Sequence, residues 1–194
     1  MKPTSRFRDA LVFAAELHAD QQRTGGTVPY LAHLLAVASL ALEQGADEDE
    51  AIAALLHDAV EDQGGLPTLE RIRERFGDRV SGIVSGCTDA VETDPRQKPP
   101  WRQRKEAYLA HLATASASVR LVSAADKVHN ARSLLADYRQ AGEAIWSRFN
   151  GGRDGSLWYY RALVRAYQAG GPANLAAELD RVVTELETLA RARA

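Results

Sequence analysis

The stretch AIAALLHDAVED (residues 51–62) joins an apolar run directly to four polar residues. Its first half, AIAALL, is typical of a buried helix, and His57 and Asp58 follow at the edge of the expected core. An unpaired carboxylate at such a place costs free energy unless another group compensates its charge, and a bound metal ion would do so. The pattern therefore predicts a helical fold in which this stretch carries a metal site.

Two more residues, on other predicted helices, complete the expected set of metal ligands. His33 lies on the helix before this stretch, and Asp126 lies on a later helix. With His57 and Asp58 they form a mixed set of nitrogen and oxygen donors, which suits Mn²⁺, Fe²⁺ or Zn²⁺. Such an ion would leave coordination positions open for water and a phosphate oxygen. A lone histidine on an apolar helix is usually a core residue, so the prediction depends on the four residues together.

Glu61 and Asp62 are the predicted catalytic residues. Glu61 lies four residues after His57, and Asp62 lies four residues after Asp58. On a continuous helix this spacing would place all four polar groups on the side that faces the metal. The alternative is that Glu61 and Asp62 only end the helix at solvent. The first interpretation predicts that one carboxylate orients the attacking water or accepts its proton.

The whole chain has the pattern of an all-α protein. Alanine and leucine are abundant, alternation of β-branched residues is scarce, and glycine or proline interrupts the helical segments at RTGGTVP, QGGLPT and NGGRDGS. This predicts about ten helices in one domain over residues 1–194. Residues 1–140 would form the core with the metal site, and residues 141–194 would form C-terminal helices that close the substrate pocket. The proline-rich segment ETDPRQKPP (92–100) is predicted to be a loop that is either disordered or acts as a flap over the site.

The bulk composition narrows the class of function. The formal net charge is -2, so no overall basic field exists to hold a nucleic acid. Cys87 is the single cysteine, which excludes an intramolecular disulfide and fits a reducing compartment. The N-terminus is charged throughout and does not resemble a signal peptide, and no run approaches the ~20 apolar residues of a membrane span. We expect a cytoplasmic enzyme that acts on a small molecule, with neither nucleic acid nor membrane as a partner.

A second cluster of residues is predicted to bind the substrate. Arg148, Arg153, Trp158 and Arg161 surround the glycine-rich turn NGGRDGS, and Lys105 on an earlier helix would add charge. Backbone N–H groups of such a turn hold anions, arginine pairs with phosphate, and aromatic rings stack on bases. The alternative is that the aromatic residues belong to the core and the arginines to the surface.

The motifs resemble the hydrolase domain of RelA/SpoT-type enzymes, and most of all the stand-alone small alarmone hydrolases. The resemblance covers about residues 7 to 138. It is carried by HADQQRTGGTVPYLAHLLAVA (18–38), AALLHDAVEDQGG (53–65), ERFGDRVSGIVSGCTD (74–89) and LVSAADKVHNARSLL (121–135).

This resemblance implies an all-α HD fold that binds Mn²⁺ through the four ligands named above. It implies that the chain removes the 3′-pyrophosphate of (p)ppGpp and leaves GDP or GTP. In the family, the pair that matches Glu61 and Asp62 assists the attack of water. The Asn that matches Asn130 organises the site, and the Arg that matches Arg23 borders the nucleotide base.

Several departures from the family pattern leave other functions open. Thr24-Gly25-Gly26 replaces a more polar segment, and Leu34 stands where the family usually has proline. The C-terminal part, AIWSRFNGGRDGSLWYYRALV, has no close match in the best-known alarmone enzymes. One rival is a phosphatase that acts on another nucleotide, such as a nucleoside monophosphate or NADPH. A second is a catalytically silent nucleotide sensor, and a third is a helical bundle with a structural ion.

Overall fold

The computed structural model describes residues 4–89 and 99–192, and the prediction of an all-α fold with about ten helices is confirmed there. A single antiparallel bridge between Gln22 and Pro29 closes the RTGGTVP turn. The helices are α1 Ser5–Leu17, α2 Leu31–Glu43, α3 Glu48–Leu56, α4 Ala59–Asp62, α5 Leu66–Phe76, α6 Asp78–Cys87, α7 Trp101–Thr114, α8 Ala117–Ala141, a 3₁₀ helix Gly142–Arg148, α9 Gly152–Gly170 and α10 Ala173–Ala192.

Helix α3 lies at the centre of the fold. Its first turn is stabilised by a capping box, in which Asp47 accepts from the Glu50 N–H and the Glu50 side chain accepts from the Asp47 N–H. Every residue from Ala51 to Leu56 is fully buried. Helices α1, α2, α6 and α8 pack around it. A helix that is apolar on all sides must be surrounded by other helices. This packing fixes the position of the C-terminal end of α3.

The structure corrects the prediction that residues 51–62 form one continuous helix. Helix α3 ends at Leu56 and α4 begins at Ala59, with His57 and Asp58 in a turn between them. The Asp58 backbone lies at φ -96° and ψ -4°, away from ideal helical values. The turn brings both side chains to the mouth of the core and changes the direction in which α4 presents its residues.

Helix α8 runs through the molecule for 25 residues, starting from a Ser116 cap that accepts from the Val119 N–H. It packs against α2, α3 and α6 on one side and against α10 on another. The side that remains carries Asp126, Asn130 and Asp137, and it borders a cavity. The long helix therefore links the metal ligands to the far end of that cavity.

The C-terminal elements contribute the opposite wall. The Trp101 ring at the start of α7 lies so close to Gly151 and Gly155 that a Cβ on either glycine would come within 2.6 and 3.1 Å of it, respectively. This contact holds the start of α9 beside α7, while α10 covers the outer side of α8 and α9. The predicted flap falls largely on residues 90–98, which lie outside the described part of the chain. No helix in the described ranges has both the length and the apolar character needed to cross a bilayer.

Candidate active site

Four side chains from three parts of the fold converge on one point. His33 Nε2 lies 3.3 Å from His57 Nε2, 3.4 Å from Asp58 Oδ2 and 3.3 Å from Asp126 Oδ1. His57 Nε2 lies 3.0 Å from Asp58 Oδ2 and 3.6 Å from Asp126 Oδ1. Both imidazoles and the Asp126 carboxylate are almost fully buried. The structure thus brings together the four residues that we predicted as metal ligands.

Hydrogen bonds behind the two histidines point their Nε2 lone pairs toward this centre. His57 Nδ1 lies 2.8 Å from the Ala54 carbonyl, to which it can only donate. His33 Nδ1 lies 2.7 Å from His129 Nδ1. Burial, then the charges of His33 and Arg23, lower the pKa of His129 to about 4, so the neutral His129 ring accepts from His33. Such outer contacts set the tautomer of ligating histidines in metal sites.

The donor set fits a divalent cation. With both Nδ1 atoms donating outward, the two Nε2 atoms and the two carboxylate oxygens are all acceptors that face one another. Without a cation, the charges of Asp58 and Asp126 outweigh burial and raise the pKa of His57 well above its usual range, so a proton on Nε2 takes the place that a cation would occupy. The charged ring in turn holds the pKa of Asp58 well below its usual range. His33, His57 and Asp58 each offer a ligand atom within 4.8 Å of the other two, and Asp126 borders this group. This combination of imidazole and carboxylate suits a divalent ion.

The two carboxylates are held by Tyr30 and Lys127, to which the sequence prediction gave no role, and by Asn130, which it assigned to the site. The Tyr30 hydroxyl donates to Asp58 Oδ2 over 2.6 Å, and the Lys127 ammonium donates to Asp126 Oδ2 over 2.5 Å. Asn130 Nδ2 donates to the other oxygen of Asp126. Lys127 and Asn130 belong to the ADKVHN motif, so their position beside Asp126 was a signal in the sequence. Tyr30 offered no comparable signal, because its partner Asp58 lies 28 residues away.

We expect Tyr30→Phe to weaken metal binding without removing the centre. The change deletes the one hydroxyl that fixes the Asp58 carboxylate, and outer partners of this kind are worth about 10- to 100-fold in metal affinity. Titration of the metal-free protein with Mn²⁺ would measure the loss. Tyr138→Phe is the matched control, because the Tyr138 hydroxyl donates to Glu143 away from the cavity lining. Equal affinities for the Tyr30 variant and the wild type would contradict the role of this hydroxyl.

A cavity of about 710 Å³ opens from the metal centre. Its described walls are rich in basic groups, while Leu134, Ala141 and Phe149 supply apolar surface. The basic lining residues are Arg23, Arg104, Lys105, Lys127 and Arg148. This volume falls in the range of small-molecule sites, and its charge favours an anionic ligand.

Glu61 enters this cavity beside the metal centre, and Asp89 holds its carboxyl group. The two carboxyls share a hydrogen bond, and Asp89 also pairs with Arg104 and Lys105. Burial, then the charges of Asp89 and Asp58, raise the pKa of Glu61 to about 7. A carboxyl with that pKa exchanges protons near neutral pH, which suits a general base or acid. Asp89 had no signal in the sequence, since its partners lie on the separate helices α4 and α7.

The structure places the second predicted catalytic residue elsewhere. Asp62 is exposed, accepts from Gln21 Nε2 over 2.8 Å and is not among the residues that line the cavity. Asp58 and Asp62 lie on either side of the start of α4, and the Asp62 carboxylate is held by Gln21, outside the cavity. Glu61 is therefore the candidate catalytic carboxyl, whereas Asp62 belongs to the hydrogen-bonded network of Gln21.

The predicted substrate-binding residues divide into two groups. Arg23, Lys105, Asn130 and Arg148 all line the cavity, and Arg23 donates to Asn130 Oδ1 over 2.9 Å.

The other three, Arg153, Trp158 and Arg161, line a separate pocket on the outer side of α9. Arg161 pairs with Asp180 and Glu187 of α10, and the Arg102 guanidinium lies 3.2 Å from the centre of the Trp158 ring. Successive residues on a helix differ by about 100° of rotation, so Tyr159 and Tyr160 face the cavity while these three residues face away. We leave all three out of the substrate site.

Comparisons with known proteins agree with this architecture. The chain matches the HD domain family over residues 10–157. It is 39% identical, over 129 residues, to guanosine-3′,5′-bis(diphosphate) 3′-pyrophosphohydrolase MESH1 of Xenopus tropicalis, covering 65% of this chain and 68% of that protein. It is also 39% identical, over 126 residues, to the guanosine-3′,5′-bis(diphosphate) 3′-pyrophosphohydrolase of Aquifex aeolicus. That match covers 64% of this chain but spans only 17% of the Aquifex protein.

Solved structures show the same fold. The structure described as that of a metazoan ortholog of SpoT that hydrolyzes ppGpp superimposes with a TM-score of 0.78 at 28% identity. The superposition covers 95% of this chain and 97% of that chain. The structure of lmo0812 from Listeria monocytogenes has a TM-score of 0.65 at 27% identity and covers 79% of this chain and 97% of the other. The likeness to the first of these extends through the C-terminal helices.

Proposed function

Because this chain belongs to the HD-domain family and, within it, to the RelA/SpoT-type small alarmone hydrolases, we propose that it removes the 3′-pyrophosphate of (p)ppGpp. The observation that supports this most is the meeting of four metal donors with Glu61 at one end of a basic cavity. MESH1 of Xenopus tropicalis and of Drosophila melanogaster, of which this chain covers 68% and 71%, carry the name of that activity.

We propose Mn²⁺ as the ion, held by His33, His57, Asp58 and Asp126. Two imidazoles and two carboxylates without any thiolate form a set of intermediate softness, which Mn²⁺ accepts and which leaves positions open. When bound, such an ion polarises a phosphoryl oxygen and lowers the pKa of water. The outward hydrogen bonds of both histidines and of Asp58 keep the ligands oriented before the ion arrives.

Glu61 acts as the proton acceptor in this proposal. Its carboxyl lines the cavity, its pKa of about 7 is matched to neutral pH, and Asp89 holds it from behind. As the water oxygen bonds to the phosphorus attached to the 3′-oxygen, the water gives its proton to the Glu61 carboxylate and the bond from that phosphorus to the 3′-oxygen breaks. The proton then passes to the 3′-oxygen, which leaves as the 3′-hydroxyl of GDP or GTP. Lys105 and Lys127 stabilise the negative charge of the pyrophosphoryl group as it passes from the 3′-oxygen to water.

We also propose that residues 1–194 act as one domain in the cytoplasm. Helix α10 packs on both α8 and α9, so the C-terminal helices share the packing of the elements that line the cavity. The single cysteine fits a reducing compartment.

A panel of nucleotides tests the proposed substrate. The protein is assayed with Mn²⁺ against ppGpp, pppGpp, a nucleoside 3′-monophosphate, a 5′-monophosphate and NADPH, and the phosphorus products are identified. We expect pyrophosphate with GDP or GTP from the first two and little turnover of the others. Orthophosphate from NADPH or a monophosphate would instead support a monoesterase. Tight binding of ppGpp without turnover would support the silent sensor, although a cavity carboxyl with a pKa near neutrality favours an enzyme.

The pH dependence of hydrolysis should follow Glu61. As a proton acceptor it must be ionised, so we expect kcat/KM to rise with pH through an apparent pKa of about 7. Asp89→Asn removes a negative charge that helps to raise this pKa, so the rising limb should move to lower pH. A pH–rate profile of both proteins measures the shift. If the apparent pKa of the rising limb is the same in both proteins, the group that titrates in the profile is not Glu61.

A further inference from the structure

The cavity has a second end, and its chemistry differs from that of the metal centre. On α8, Asn130, Ser133, Asp137 and Ala141 follow one another at helical spacing and line one wall. Asp137 lies eleven residues beyond Asp126, or about 16 Å along the helix axis. That separation suits a nucleotide that places a phosphate at the metal and its base at the far end.

Asp137 is an acidic residue in a cavity whose other described charged groups are basic, apart from Glu61. Its side chain is 49% exposed, and its nearest charged partner is Arg148, with 4.0 Å between Oδ2 and Nη1. That distance is too long for a hydrogen bond, so both carboxylate oxygens keep their capacity to accept. A carboxylate would repel the phosphates of an anionic substrate, so its place in this cavity calls for a ligand group that donates hydrogen bonds.

Arg148 is held beside Asp137 by the RTGG turn. Gly25 has φ +82°, and a Cβ built on it would come within 2.8 Å of Arg148 Nη1. The turn that departs from the family pattern therefore provides the space in which the guanidinium lies. The result is a donor next to an acceptor at one rim of the cavity, with Leu134 and Phe149 as apolar walls nearby.

This pair matches one base better than another. The Watson–Crick edge of guanine presents an acceptor, O6, beside two donors, N1–H and the N2 amino group. Adenine reverses the order, because its N6 amino group donates and its N1 accepts. Carboxylates accept only, and arginine donates only. Nucleic-acid-binding proteins read splayed-out bases through such edges.

We propose that Asp137 and Arg148 recognise the Watson–Crick edge of guanine, Asp137 accepting from N1–H and N2 and Arg148 donating to O6. This makes the site selective for guanosine over adenosine nucleotides. The inference rests on the proposed function, since it needs a nucleotide whose phosphate lies at the metal. The unfavourable contact between the adenine N1 lone pair and Asp137 excludes the wrong base.

Binding of GDP, IDP and ADP in the presence of Mn²⁺, measured by calorimetry, tests the proposal separately from catalysis. The wild type should bind GDP most tightly, IDP less tightly because it lacks the N2 amino group, and ADP most weakly. Asp137→Asn should weaken GDP binding about 10- to 100-fold, the range for a hydrogen bond to a charged group. It should strengthen ADP binding, because the amide no longer repels the adenine N1 lone pair. Arg148→Met should weaken GDP and IDP alike, since both carry O6.

Asp154→Asn is the matched control, because that side chain is 92% exposed and does not line the cavity. Equal losses for GDP and ADP in the Asp137 variant, or a wild type without base preference, would overturn the inference. Selective GDP binding without hydrolysis of ppGpp would overturn the proposed function and leave the base recognition standing. Hydrolysis of ppGpp and ppApp at equal rates would overturn the base recognition and leave the proposed function standing.

Discussion

Asp58→Ala is expected to abolish both metal retention and hydrolysis. The carboxylate supplies one of four donors, and its Oδ2 atom lies 3.0 and 3.4 Å from the Nε2 atoms of His57 and His33. Removal of an outer partner alone costs about 10- to 100-fold in affinity, and loss of a ligand should cost more. We expect kcat/KM for ppGpp to fall by more than about 100-fold at any practical Mn²⁺ concentration.

The melting temperature with and without Mn²⁺ shows whether the loss of activity is caused by the loss of metal binding. A ligand present at 100 times its Kd stabilises the folded state by about 2.7 kcal/mol, which corresponds to about 5–10 °C for a chain of this size. The wild type should therefore melt later when Mn²⁺ is added, and Asp58→Ala should show no such shift. Asp154→Ala, at a 92% exposed side chain, should behave as the wild type does. Full turnover by the Asp58 variant would exclude the proposed centre.

Glu61→Gln is expected to retain the metal and lose rate. The amide has the shape of the carboxyl and can still donate to Asp89, but it cannot accept a proton from water. General-base catalysis contributes about 10²- to 10⁴-fold, so kcat should fall within that range. The shift in melting temperature caused by Mn²⁺ should remain as large as in the wild type.

The matched control for this change is Glu70→Gln. Glu70 is 54% exposed and pairs with Arg73 on the surface of α5. Its variant should keep the wild-type kcat. If Glu61→Gln also lost the Mn²⁺-dependent shift, Glu61 would be a ligand rather than a base. If it kept the wild-type rate, another group would have to accept the proton.

Much of this site was predictable because it depends on local residue types. The run AIAALL ahead of His57 and Asp58 indicates a buried helix that ends at a charged site, and α3 has that character. His33 and Asp126 lie on α2 and α8, both of which pack against α3. The break between α3 and α4 was not predictable, since HDAVED contains no glycine or proline and tertiary packing decided its course.

The substrate-binding residues were predicted only in part, and for a different reason. Helix α9 faces the cavity on one side and the charged surface of α10 on the other, so both sides carry polar and aromatic residues. Periodicity along α9 alone therefore did not distinguish Tyr159 from Trp158, and Arg148 lies on the preceding 3₁₀ helix. Asp89 with Lys105, and Asp137 with Arg148, are pairs between separate elements, which no spacing within one helix reveals.

The most direct test of the central claim is product identification by phosphorus NMR on ppGpp, before and after Mn²⁺ is returned to chelator-treated protein. We expect no turnover without the ion and, once it is restored, the stoichiometric appearance of GDP and pyrophosphate. Turnover that persists without a metal, or orthophosphate as the first product in its presence, would contradict the assignment of this chain as a metal-dependent (p)ppGpp 3′-pyrophosphohydrolase.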